Sequence, residues 1–183
     1  MAGEVRLHDR AILDALEAID PVAFEGPVWR VTSFGRDALR GGSANGRWSP
    51  AGEFEVLYTS LVRNSALSEI GYRLSLEPIW PSRLQHEIHT IEVKTTRTLR
   101  FADVNSLSGL GLDITQYESF SYQATRAIAA AAHFLEFDGL LVPSARAECA
   151  NLVLFLDRLG EGSRLEVLKS EPIDWDNWRN SQR

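Results

Sequence analysis

Cysteine is almost absent from this sequence, since Cys149 is the single one among 183 residues. One cysteine can form neither an internal disulfide nor a cysteine-based zinc cage. The sequence therefore lacks the marks of a disulfide-stabilised secreted domain. This scarcity of cysteine predicts a protein of the reducing cytoplasm.

Long apolar runs are missing as well. The longest one, residues 127–132, is closed by His133 and Glu136, far short of the roughly 20 residues that a membrane span needs. The N-terminal segment is charged and has no apolar stretch of the kind found in a signal peptide. We therefore expect a cytoplasmic protein without a membrane partner.

Positive charge is not in excess: 19 Lys and Arg residues stand against 25 Asp and Glu residues, which gives a net charge of -6. A protein that holds a phosphate backbone usually shows a basic patch, so direct binding of nucleic acid is not expected. The hydrophobic share of 44% and the charged share of 24% are those of an ordinary globular protein. The length predicts one domain over residues 1–183.

The spacing of apolar residues predicts a mixed α/β fold. A helix is predicted between Asp9 and Asp20, a second with Asn64 as its N-cap, and a third from about Ser119. Residues 35–52 are rich in Gly, Ser and Asn and predict a long loop, and residues 105–115 are irregular. Strands are predicted at residues 28–31, 56–61, 87–94, 139–143, 151–157 and 165–169.

Several conspicuous side chains have ordinary structural interpretations. Trp175 and Trp178 near the C-terminus are expected to pack back onto the domain. His86 and His89 would point to opposite faces of a strand, so they are interpreted as structural surface residues and no metal site is predicted. Residues 41–48 lack the Lys and Ser or Thr of a phosphate loop, and Ser144 is not in a G-x-S-x-G elbow, which disfavours an NTPase and a serine hydrolase.

Four short segments set polar side chains beside apolar strands or helices. These segments and their order along the chain resemble those of the RES domain, the toxin half of bacterial RES and Xre-type toxin–antitoxin modules. The resemblance covers about residues 27–157, and it departs from the family pattern at Asn45 and Ser49 in the loop. The segments are residues 29–31 (WRV), 45–48 (NGRW), 57–60 (LYTS) with 66–69 (ALSE), and 142–146 (VPSAR).

The resemblance implies both a fold and an activity. RES domains look like ADP-ribosyltransferases, which implies a single α/β domain with a split β-sheet flanked by helices. It also implies an NAD-consuming toxin that breaks the bond between nicotinamide and ribose and passes ADP-ribose to a protein, to water or to phosphate. No metal is implied, because the nicotinamide leaving group already carries a positive charge. The implied partners are a DNA-binding Xre-type antitoxin that blocks the NAD cleft and a host protein that accepts ADP-ribose.

The resemblance also assigns roles to individual residues. Glu69 would stabilise an oxocarbenium-like transition state or hold a ribose hydroxyl. Arg30 and Arg47 would bind the pyrophosphate of NAD, because a guanidinium matches phosphate oxygens with a fork of donors. Tyr58 would stack on the nicotinamide ring. These four residues, together with Ser144, make up the predicted catalytic and NAD-binding set.

The remaining motif holds Ser144 and Arg146. Ser144 would hydrogen-bond the nicotinamide or the ribose, or polarise the acceptor, and Arg146 would contact a phosphate or pair with Glu148. Taken singly, Ser144 is an ordinary turn residue and Tyr58 an ordinary core aromatic, so only their joint occurrence favours a site. The alternative function is a non-catalytic module that binds a nucleotide or a partner, for which the carboxylate of Glu69 would be dispensable.

Overall fold

The computed structural model describes residues 7–43 and 46–182, so Asn45 of the loop motif lies outside the described residues. Within these ranges, 3-10 helices span Val104–Leu110, Ile114–Gln116 and Leu156–Arg158. The principal elements in chain order are α1 (Arg10–Glu17), β1 (Val22–Ser33), β2 (Val56–Ser60), α2 (Arg63–Ser75), β3 (His86–Arg100), α3 (Gln123–Phe134), β4 (Gly139–Pro143), β5 (Ala150–Phe155), β6 (Arg164–Pro172) and α4 (Trp175–Ser181).

The sheet consists of two antiparallel halves. One half contains β1, β3 and β6, and the other contains β2, β5 and β4. The halves meet where Trp29 of β1 pairs with Ser60 of β2 and where the end of β3 runs parallel to β4. The expected α/β domain, with a split sheet flanked by helices, is confirmed.

Three apolar clusters form the core, and two of them hold helices on the sheet. In the largest, Ile128 and the four consecutive alanines 129–132 of α3 pack with Leu140 of β4 and Phe155 of β5, and all of these side chains are buried. Alanine side chains allow the backbone of α3 to approach the strands closely. The second cluster joins the two halves of the sheet through residues such as Val28 and Leu57. The third cluster packs α2 against β3 and α4.

The C-terminal tryptophans pack back onto the domain, as expected. Trp175 is buried and its indole N–H donates to His86 Nδ1 over 3.1 Å. The ring of Trp178 lies against α2 at Gly71, where an added Cβ would come within 2.6 Å of the ring. Gly71 therefore permits the close contact between α2 and α4.

Some boundaries differ from the sequence-based expectation. The first strand begins at Val22 rather than at residue 28, and the third extends to Arg100 rather than ending at residue 94. These two strands pair with each other along almost their whole length, so tertiary pairing extends both beyond their local patterns. The third helix begins at Gln123 rather than near Ser119.

Two individual interpretations are also wrong. Asn64 is not the N-cap of α2: the cap position is Val62, and the Asn64 side chain accepts a hydrogen bond from the Trp178 indole. His89 is not a surface residue, because only 3% of it is exposed. Its ring hydrogen-bonds Thr32 of β1 and Ser170 of β6, which satisfies both ring nitrogens inside the sheet.

A buried carboxylate stabilises the turn between α3 and β4. Asp138 is 2% exposed and accepts hydrogen bonds from the backbone N–H groups of Thr96 and Arg97 and from the hydroxyl of Thr98. These three groups lie on β3, at the start of its short parallel pairing with β4. Asp138 therefore fixes one of the two places where the halves of the sheet meet.

We expect Asp138→Ala to lower the free energy of unfolding by about 3 kcal/mol, because two backbone N–H groups and the buried hydroxyl of Thr98 lose their carboxylate acceptor. Urea unfolding measures the change. Asp113→Ala is the matched control, since the exposed Asp113 carboxylate also accepts from a backbone N–H, that of Thr115. It should cost about 1 kcal/mol or less. Equal costs for the two variants would contradict the role given to Asp138.

Candidate active site

A cavity of about 590 Å³ lies where β1, β2 and α2 meet. Its volume is within the range of small-molecule sites. The predicted residues Arg30, Arg47, Tyr58 and Glu69 all line it. Ser144 reaches it through a hydrogen bond to Glu69. The structure therefore brings the whole predicted set to one place, although its members are spread over more than a hundred positions of sequence.

The carboxylate of Glu69, on α2, accepts hydrogen bonds from two side chains of the half of the sheet that contains β4 and β5. Its Oε1 accepts from Ser144 Oγ at 3.0 Å and from Asn151 Nδ2 at 2.7 Å. Both donors bind the same carboxylate oxygen, which leaves Oε2 available to a ligand. The carboxylate is thus oriented before any ligand arrives.

Ser144 belongs to a turn that directly follows β4. Its backbone N–H donates to the carbonyl of Cys149 over 2.8 Å, and its hydroxyl accepts from the backbone N–H of Arg146. The turn fixes the hydroxyl so that it donates to Glu69. Asn151 was not among the predicted site residues; the signal for it was a polar residue at the start of an otherwise apolar strand.

Arg30 is a half-buried arginine with an incomplete set of hydrogen-bond partners. One terminal nitrogen donates to the carbonyl of Arg40 at 3.0 Å, while its Nε is buried and has no hydrogen-bond partner among the described residues. Burial and the neighbouring charge of Arg36 lower the pKa of Arg30 to about 10. The group is therefore still cationic at neutral pH, and an anion beside it would relieve both effects.

Arg47 is enclosed by aromatic rings. Its guanidinium lies 5.0 Å from the ring centroid of Tyr117 and 4.8 Å from that of Tyr122. It donates to the backbone carbonyls of Tyr117 and Ser119, and burial lowers its pKa. Arg47 thereby joins its own loop to the segment that precedes α3.

Arg146 holds the same segment from the other side. Its guanidinium lies 4.4 Å from the ring centroid of Tyr72 and 5.5 Å from that of Phe120. It donates to the carbonyl of Glu118 over 2.9 Å, so its partner is this backbone oxygen and not the carboxylate of Glu148. The aromatic residues around both arginines were not predicted.

Tyr58 anchors the loop that carries Arg47. Its hydroxyl accepts from the backbone N–H of Trp48 at 2.8 Å and donates to Ser49 Oγ, and burial raises its pKa. The loop passes so close that an added Cβ at Gly46 would lie 2.5 Å from the Tyr58 oxygen. A glycine is therefore required at position 46.

The cavity is cationic in a protein that is acidic as a whole. Glu69 is the one carboxylate among the described residues that line it. Such an arrangement attracts an anionic ligand. Arg36 and Arg73 extend the set beyond the predicted residues. The arginines that line it are Arg30, Arg36, Arg47, Arg73 and Arg146.

Neither a metal cluster nor a membrane helix appears in the described part of the chain. Residues 7–43 and 46–182 contain no group of three or more His, Cys, Asp or Glu side chains placed to hold a metal ion. Their helices are all too short or too polar to cross a membrane.

Comparison with known proteins gives consistent matches. NAD(+) phosphorylase MbcT of Mycobacterium tuberculosis is 24% identical over 143 residues, which cover 75% of this chain and 77% of that protein. Probable NAD(+) phosphorylase Rv3189 of the same organism is 30% identical over 151 residues, covering 81% and 71%. The crystal structure of the M. tuberculosis MbcT-MbcA toxin-antitoxin complex contains a chain with a TM-score of 0.80 and 22% identity, covering 94% of this chain and 97% of that chain.

The family model of the RES domain matches residues 27–176, which include all four of the motifs and every residue of the predicted site. The structural match, at low sequence identity, supports the same fold. The resemblance expected from the motifs is therefore confirmed, and this chain belongs to the RES domain family.

Proposed function

We propose that this protein is an NAD-consuming enzyme that breaks the bond between nicotinamide and ribose. The observation that carries the proposal is a single oriented carboxylate, Glu69, in a cavity whose other charged lining residues are all arginines. NAD has the matching distribution of charge, with a cationic nicotinamide-ribose end and an anionic pyrophosphate. The names of the relatives, which are NAD(+) phosphorylases, support the same substrate.

The arginines suit the pyrophosphate. Burial first, and then the neighbouring positive charge of Arg36, lower the pKa of Arg30. Two phosphate groups between them would replace this repulsion by charge-assisted hydrogen bonds. Tyr58 would offer its ring to the nicotinamide, as the family resemblance implies, while its hydroxyl keeps the loop of Arg47 in place.

The reaction needs stabilisation of positive charge at the ribose. When the bond between C1′ and the nicotinamide nitrogen breaks, the electron pair leaves with nicotinamide, which becomes neutral, and the ribose takes on oxocarbenium character. A carboxylate fixed beside the ribose stabilises this charge most strongly in the transition state. Glu69 has this role in the proposal, with Ser144 as a hydrogen-bonding residue that orients it.

The acceptor that we propose is orthophosphate. Attack of a phosphate oxygen on C1′ would give ADP-ribose 1″-phosphate, with release of nicotinamide and of the proton that the phosphate carried. The names of the relatives support phosphorolysis. The cavity has more arginines than the pyrophosphate of NAD requires, which supports binding of a second anion there. A protein side chain, as in an ADP-ribosyltransferase, and water remain the other acceptors to test.

We further propose that the protein is the toxin of a toxin–antitoxin pair. The MbcT-MbcA complex supports this because its toxin chain shares the fold over nearly the full length of both chains. The antitoxin would be a DNA-binding protein of the Xre type that covers the cavity, and the toxin would deplete NAD in the cytoplasm. Residues 1–183 would act as one RES-type domain.

Purified protein is expected to release nicotinamide from NAD when orthophosphate is present. Glu69→Gln should lower the rate by at least about 100-fold, because it keeps the shape and removes the negative charge that stabilises the transition state. Chromatography of nicotinamide measures the rate of release, and mass spectrometry identifies the second product. Circular dichroism must show that the variant is folded.

The acceptor follows from the same assay. Release that needs no phosphate would indicate water, and release or label transfer only with cell extract would indicate a protein acceptor. No release under any of these conditions would overturn the proposed enzyme activity and favour a binding module without turnover. Full activity of Glu69→Gln would instead overturn the role given to the Glu69 carboxylate.

Arg47→Ala should weaken NAD binding by about tenfold or more, and Arg146→Ala by about threefold or less, because the hydrogen bonds of the Arg47 guanidinium are partly buried whereas that of the Arg146 guanidinium is exposed. Calorimetry in the Glu69→Gln background measures binding without turnover. Arg164→Ala is the control, since Arg164 lies on β6 and pairs with the exposed Glu166. Equal losses at Arg47 and Arg146, or none at Arg47, would refute this division of roles.

A further inference from the structure

Asn151 is the first polar residue of a strand that is otherwise deeply buried. It lies on β5, between Ser60 of β2 and Val142 of β4, with which it pairs across the sheet. The four residues that follow it, Leu152, Val153, Leu154 and Phe155, are all fully buried. An asparagine at this place therefore interrupts an apolar pattern.

The orientation of the Asn151 amide follows from the chemistry of its partner. A carboxylate can only accept hydrogen bonds, so the NH₂ group faces Glu69 and the carbonyl oxygen faces the other way. That carbonyl oxygen, Oδ1, is buried and has no hydrogen-bond partner among the described residues. An unpaired buried acceptor lowers stability, so Asn151 is poorly explained as a stabilising residue.

Asn151 is also the more rigid of the two donors to Glu69. Ser144 lies in the turn after β4, whereas Asn151 is fixed in a strand that is paired on both sides. A glutamate side chain rotates about three bonds, and a donor on a paired strand removes that freedom before the substrate binds.

We propose that Asn151 is the positioning residue for Glu69. It holds Oε1 so that Oε2 faces the ribose, and the protein retains its unpaired oxygen as the cost of that alignment. This inference rests on the proposed function, because it gives Asn151 a part in the same cleavage of NAD. It adds a residue on β5 to a site that the motifs place on β1, β2, α2 and the turn after β4.

The test is Asn151→Leu, which removes the amide donor and the unpaired acceptor while nearly keeping the volume. We expect kcat for nicotinamide release to fall by about 10-fold to 100-fold, with KM for NAD changed by less than about threefold. The melting temperature should stay the same or rise. Leu154→Val is the matched control on the same strand: it should lower the melting temperature and leave kcat unchanged.

A double-mutant cycle separates positioning from a general structural role. If Asn151 acts through the Glu69 carboxylate, Asn151→Leu should change the residual rate of Glu69→Gln by less than about twofold. A similar loss in both backgrounds, a wild-type kcat for Asn151→Leu, or a loss that follows a lowered melting temperature would overturn the assignment. No release by the unmodified protein would instead overturn the proposed function, and the assignment with it.

Discussion

Electrostatic repulsion among the arginines that line one cavity is the constraint on which the surrounding structure depends. Arginine side chains face a common space, and their mutual repulsion must be offset without a ligand. Backbone carbonyls provide the offset: Arg30 binds that of Arg40, Arg47 binds those of Tyr117 and Ser119, and Arg146 binds that of Glu118. The irregular segments around the cavity therefore have their shape because their carbonyl groups turn toward the guanidinium groups.

The carboxylate of Glu69 makes the complementary connection. It lies on α2, which packs against β1 and β3, and its two donors come from the other half of the sheet. The same hydrogen bonds that orient the carboxylate thus connect α2 to β5 and to the turn after β4, beside the cavity. Asp138 makes comparable hydrogen bonds where β3 meets β4. All of these partners belong to the sheet, and the buried carboxylate is not accessible to a ligand. The comparison shows how similar chemistry serves stability at one junction and a site at the other.

The sequence was informative where short motifs carry the chemistry and uninformative where distant residues meet. Arg30 and Glu69 could be predicted because each sits in a recognisable motif. Asn151 was missed because its partner Glu69 is far away in the chain, and its one local signal was a polar residue in an otherwise apolar strand. The start of α3 was predicted too early: the sequence around Ser119 has a helix-like composition, but the carbonyl of Ser119 accepts a hydrogen bond from Arg47 and the helix begins at Gln123. Strand ends were missed where pairing of β1 with β3 overrides local preference.

The distribution of unpaired polar atoms separates the cavity from the rest of the interior. Among the described residues, three buried side-chain atoms lack a hydrogen-bond partner: Arg30 Nε, Asn151 Oδ1 and Ser163 Oγ. Two of these three residues line the cavity, whereas buried groups elsewhere, such as His89 and Asp138, are fully engaged. A fold shaped for stability alone would have paired or replaced them. Their concentration in the cavity that Glu69 lines is expected of a site in which some stability is lost for the alignment of its groups.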